Sequence, residues 1–118
     1  MTNKELIKIL QCTNTDYSDP FAKNYISWNV LDKGLENSLI WILNVNSSNN
    51  DCTMMEYPTD ENYWSIDYPI SLEYYPYNDC DIYKNILYNT FYFIYTEWGG
   101  HSPERRCRLI QEHLIVDK

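Results

Sequence analysis

Apolar and polar positions alternate along this chain in patterns that predict most of its elements. Thr2-Asn-Lys-Glu5 stands before Leu6, Ile7, Ile9 and Leu10. A hydroxyl and a carboxylate three residues apart cap two backbone N–H groups reciprocally, so a first helix is predicted to about Cys12. Residues 13–20, TNTDYSDP, read as a loop. Ile26 or Trp28, Leu31 and Leu35 then recur at three- and four-residue spacing, which predicts a second helix over about 22–37. Asn37-Ser38 ends it.

The apolar run LIWILNVN, 39–46, is rich in strand formers, and SSNND behind it reads as a turn into CTMMEYP, a predicted hairpin. The alternative is a second helix continued to Leu43, since Leu39 and Ile42 also fit its face. Residues 89–98, NTFYFIYTEW, pose the same choice between a strand and a helical stripe of Ile86, Leu87, Phe91, Ile94 and Trp98. Beyond Gly99-Gly100, Ser102 is placed as an N-cap, Pro103 at the first helical position and Glu104 in the first turn. Cys107, Ile110 and Leu114 share one face behind them. These features predict a terminal helix over about 103–115. Strand-favouring Ile, Val, Thr, Phe, Tyr and Trp total 41 against 33 for Ala, Leu, Met, Glu, Lys, Gln and Arg. That excess tips the central segments toward strands. The expected fold is α+β, with helices at both ends and a small central antiparallel sheet, and an all-α bundle is its competitor.

At 118 residues the chain is sized for a single domain, 1–118, and 44% hydrophobic with 16% aromatic residues is the composition of a folded one. No window reaches the roughly 18 apolar residues of a membrane span, and Met1 is followed by polar residues, so a cytoplasmic protein with no membrane partner is expected. Cys12, Cys52, Cys80 and Cys107 include no closely spaced pair, and read as reduced thiols outside any zinc site.

The net charge of −8 is unevenly distributed. From Gly34 to Tyr83 there is no lysine or arginine, against Glu36, Asp51, Glu56, Asp60, Glu61, Asp67, Glu73, Asp79 and Asp81. Self-repulsion in such a block costs stability. Tyrosines and a tryptophan are interleaved with these acids, and aromatic anchors with carboxylates are the composition of a surface that binds a cationic protein. The expected contact residues are Glu56, Asp60, Glu61, Tyr63, Trp64, Asp67, Glu73, Tyr74, Tyr75, Tyr77, Asp79 and Asp81. The same charge repels phosphate, so no direct nucleic-acid binding is expected. The RRCR cluster, 105–108, is expected to pair with acids of the middle segment.

Catalytic chemistry finds little support. The histidines are His101 and His113 only, and Cys80 stands between Asp79 and Asp81, whose charges disfavour a thiolate. Asp60-Glu61 and Asp79-Asp81 are carboxylate pairs without EF-hand spacing, a phosphate loop or a histidine ligand. No enzyme activity, cofactor or metal is expected.

SLEYYPYNDCD, 71–81, resembles a stretch in bacteriocin immunity proteins of the colicin and pyocin nuclease type, in which a serine, an apolar residue and Tyr-Tyr-Pro lead into acids. TNKELIKIL followed by TDYSD is similar to that family's first helix and the loop behind it. The resemblance implies a basic nuclease toxin as partner, with Tyr74 and Tyr75 in contact and Pro76 shaping the turn. It does not carry over the family's four-helix fold, because residues around 44–68 have no counterpart there and a sheet is predicted here. The expected function is an immunity or antitoxin protein that neutralises a basic toxin, also in the setting of contact-dependent growth inhibition. A phage-encoded nucleic-acid mimic and a small acidic adaptor domain are the alternatives.

Overall fold

The computed structural model describes residues 1–46, 53–99 and 102–116. Helix α1, Asn3–Cys12, forms where its capping box predicts. The Thr2 hydroxyl accepts from Glu5 N at 3.1 Å, and Glu5 Oε1 accepts from Thr2 N at 2.9 Å. The remaining elements are β1 (Asn29–Val30), the one-turn helix α2 (Lys33–Glu36), β2 (Leu39–Asn44), β3 (Asp81–Asn85), β4 (Thr90–Glu97) and β5 (Glu104–Leu109). The strands make one antiparallel sheet in the order β1-β5-β4-β3-β2. The fold is thus mainly β, which overturns both the α+β arrangement with helices at both ends and the all-α bundle.

Both faces of this sheet are covered, and that decides how its sequence reads. On one face Phe91, Phe93 and Tyr95 pack with Ile82 beneath Leu6 of α1, Trp28, and the irregular segment carrying Tyr68, Ile70, Leu72 and Tyr77. On the other, Tyr92, Ile94, Cys107 and Leu109 meet Ala22, Tyr25 and Leu35. Successive strand side chains point to opposite faces, so β4 is buried without interruption from Thr90 to Tyr95. The β3–β4 hairpin closes through Asn89, whose φ of 57° is a left-handed conformation that asparagine tolerates.

Three expected elements take other forms. Residues 22–37 are no continuous helix but a 3-10 turn (Ala22–Asn24), β1 and α2. Tyr25 and Trp28 belong to opposite layers, so this segment crosses the sheet edge. The Tyr25 hydroxyl fixes the crossing by donating to Val30 O at 3.0 Å and accepting from Asp32 N at 2.8 Å. Residues 39–46 do provide a strand, but β2 pairs with β3 and not with the segment after the expected turn. That turn, 47–51, lies outside the described residues, and the following stretch makes one bridge, Glu56 to Tyr75.

The terminal helix is replaced by β5 and a 3-10 turn, Glu112–Leu114. Cys107 and Leu109 face one layer while Arg106 and Arg108 face the other. Phe93 lies opposite Arg108, and Ile94 opposite Cys107. Arg108 is 0% exposed. Its guanidinium donates to Tyr68 O and the Tyr77 hydroxyl, both at 2.7 Å, and to Ile66 O at 3.1 Å and Ile26 O at 3.2 Å. One buried side chain thereby joins β5 to both irregular segments on that face.

Candidate functional site

Residues 53–79 carry most of the expected contact residues, held on the sheet by aromatic packing. Trp28 stacks on Tyr63 at 5.7 Å and meets Tyr95 edge-on at 5.0 Å. Tyr63 and Tyr95 share a hydrogen bond of 2.5 Å between their hydroxyls. Tyr75 N donates to Met55 O at 2.9 Å, which lays the strip 53–57 beside Tyr75.

The result is a groove of two compartments that share Tyr75 and Glu97. The first, about 200 Å³, is lined by Glu56, Tyr63, Trp64, Tyr75, Glu97 and Arg106. The second, about 380 Å³, is lined by Thr53, Met54, Tyr75, Asn78, Asp79, Glu97, Trp98 and Gly99. Tyrosine hydroxyls orient the carboxylates: Tyr68 donates to Glu56 Oε1 at 3.1 Å, Tyr75 to Glu97 Oε2 at 3.3 Å and Tyr95 to Glu97 Oε1 at 3.4 Å.

Arg106 occupies the first compartment. Its Nε donates to Glu104 at 2.8 Å, its Nη1 lies 3.5 Å from Glu97, and its guanidinium carbon sits 5.6 Å from the Tyr63 ring centre and 4.8 Å from that of Trp64. Carboxylates at the edge of a guanidinium and rings over its face are the two ways proteins hold this group.

The other acids of the segment are uncompensated. Glu56, Asp60, Glu61, Asp67, Glu73 and Asp79 are all exposed, and among the described residues none has a basic partner. Although Asp79 reaches solvent, partial desolvation by the chain around it, and secondarily the charge of Asp81, raise its pKa above the ordinary carboxylate value. Asp81 is half-buried and its Oδ1 accepts from Trp41 Nε1 at 3.2 Å and Asn44 Nδ2 at 3.0 Å.

The expected tyrosines divide. Tyr63, Tyr74 and Tyr75 are half-buried, with Tyr74 edge-on to Tyr57 at 5.2 Å, and Trp64 is 51% exposed. Tyr77 has no exposed surface, so its place is in the core and not on a contact face. Glu97, Trp98 and Arg106 escape the sequence reading of this site because β4–β5 pairing brings them to it, and nothing local marks them. Among the described residues, Arg105 is the one RRCR arginine that pairs with an acid of the middle segment, Glu36.

The Cys80 thiol is fully buried and donates to Pro76 O at 3.2 Å; burial first, and the charges of Asp79 and Asp81 next, push its pKa well up. It stays a neutral thiol. Among the described residues no three His, Cys, Asp or Glu side chains converge as metal ligands, and no helix is long and apolar enough to cross a membrane. The chain matches no protein-family model, no curated protein and no solved structure.

Proposed function

We propose that this chain is an inhibitor of the immunity or antitoxin kind, binding a basic toxin, a nuclease by the resemblance of SLEYYPYNDCD, through the groove and acids of residues 53–79. The observation that carries this reading is the run of exposed acids from Glu56 to Asp79, which have no basic partners among the described residues, beside the exposed ring of Trp64. Unpaired carboxylates repel one another in the free protein, and a cationic surface relieves that repulsion on docking. Carboxylates steer the encounter, Trp64 and the outer faces of Tyr74 and Tyr75 pack against the partner, and the covered toxin surface is closed to its RNA or DNA substrate. No bond is made or broken.

The test is co-expression with a basic toxin encoded beside this gene, read as co-purification and survival of the cells, followed by association kinetics. Steered association is expected to slow by tenfold or more from low to high salt, on the order seen where charge guides encounter. A toxin that neither co-purifies nor is neutralised refutes the reading, and an association rate indifferent to salt removes the steering.

A further inference from the structure

The second compartment of the groove repeats the chemistry of the first, and among the described residues it has no cation of its own. In the first, Arg106 lies over the Tyr63 and Trp64 rings with its donors toward Glu97 and Glu104. The adjoining cavity of about 380 Å³ offers the Trp98 and Tyr75 rings, Glu97, whose Oε2 accepts from the Tyr75 hydroxyl and Gly99 N, and Asp79. Trp98 is 73% exposed, and Asp79 has no cationic partner among the described residues.

The wall of this cavity also holds a buried polar group. Asn78, which lines it, is 6% exposed, and among the described residues its Oδ1 has no hydrogen-bond partner. Reversing the amide does not help, since its Nδ2 already donates to Thr53 O at 2.8 Å. A buried acceptor without a donor is costly, and a nearby polar group, water or ion that supplies one relieves the cost.

We propose that this compartment receives an arginine side chain of the partner protein, its guanidinium between Trp98 and the Glu97 and Asp79 carboxylates. The assignment rests on the groove being a docking face and adds the side chain it reads. Arginine fits better than lysine because a planar fork satisfies two carboxylates while stacking on a ring, whereas an ammonium is a compact, strongly hydrated charge.

The experiment is an NMR titration of the isotopically labelled full chain with acetyl-Gly-Arg-Gly-amide, and with its lysine and citrulline counterparts. The arginine peptide is expected to shift the Trp98 indole and Asn78 side-chain amide signals. Citrulline, of the same shape without charge, should leave them in place, and lysine should bind several-fold more weakly. Asp79→Asn, an exposed position, should weaken the arginine peptide about fivefold or more, as loss of a charge-assisted contact does. Trp98→Ala should abolish the ring-current shifts while the spectrum stays dispersed. A citrulline or lysine peptide that binds equally well, or an Asp79→Asn variant with unchanged affinity, overturns the proposal. Toxin capture without a peptide response at Trp98 overturns the arginine site alone, and a peptide response without toxin capture overturns the inhibitor reading alone.

Discussion

Arg108 concentrates more of the fold in one side chain than any other residue of β5. Its donors serve three backbone carbonyls and the Tyr77 hydroxyl, and no carboxylate balances it among the described residues. Burial pushes the Tyr77 hydroxyl up to about 12, with Arg108 acting in the opposite direction, so Tyr77 stays a neutral acceptor at neutral pH. Arg108→Met takes the donor from two buried acceptors, Tyr68 O and the Tyr77 hydroxyl, and from the part-buried Ile66 O, while Ile26 O keeps Gln111 Nε2 at 2.9 Å. The expected cost is about 3 kcal/mol or more. Arg105→Met, by contrast, breaks an ion pair with Glu36 whose side chains are 42% and 43% exposed, and should cost less than about 1 kcal/mol. Urea midpoints of the two variants test the contrast. Equal costs would mean that Arg108 is not the tie between these segments. The two arginines look alike in sequence, because a charge in a string of letters says nothing about its burial.

At the scale of elements, α1 was legible and β5 was not, and the difference lies in where their determinants reside. A capping box is complete within Thr2–Glu5, so α1 announces itself locally. The alternation of β5 is hard to see, because Glu104, Arg105 and Arg106 are all charged and only Arg106-Cys-Arg-Leu109 alternates, with arginine on a face that is buried at Arg108. Ser102-Pro103-Glu104 then suggests a helix start that tertiary pairing overrides. The continuous burial of β4 similarly blurs strand and helix, since a strand covered on both sides loses its alternation. The site follows the same division. Its acids and tyrosines within 56–81 are visible as composition, while Glu97, Trp98 and Arg106 arrive only through sheet pairing. Amide exchange checks the assignment: Tyr92, Phe93 and Ile94 should exchange only through global opening, with Cys107 and Leu109 beside them, while the β1 amides exchange sooner. Exchange of the 107–109 amides as fast as those of β1 would contradict a β5 held in the sheet centre.

For the molecule as a whole, the acidic segment should make the free protein less stable than its packing alone allows, and Asp79 is where this is measurable. Its pKa is raised from the ordinary 3.8 because partial desolvation, and then Asp81, disfavour its charge. The folded chain therefore holds that proton more tightly than the unfolded one. The contribution of Asp79 to stability is most favourable with the group protonated, declines as pH rises from 3.8 to its raised folded value, and stays at its lower level above that. Asp79→Asn removes the charge and keeps the shape, so its melting temperature relative to the parent should rise across this window and remain above it at about pH 7. Salt should act in the same direction on the parent, since the screening length shrinks to about 8 Å at physiological ionic strength and mutual repulsion of the acids falls. Thermal melts of both proteins against pH and salt decide it. A variant less stable than the parent at neutral pH would mean that Asp79 has a stabilising partner within the chain, and with it the reason for assigning this carboxylate to a partner's arginine would be gone.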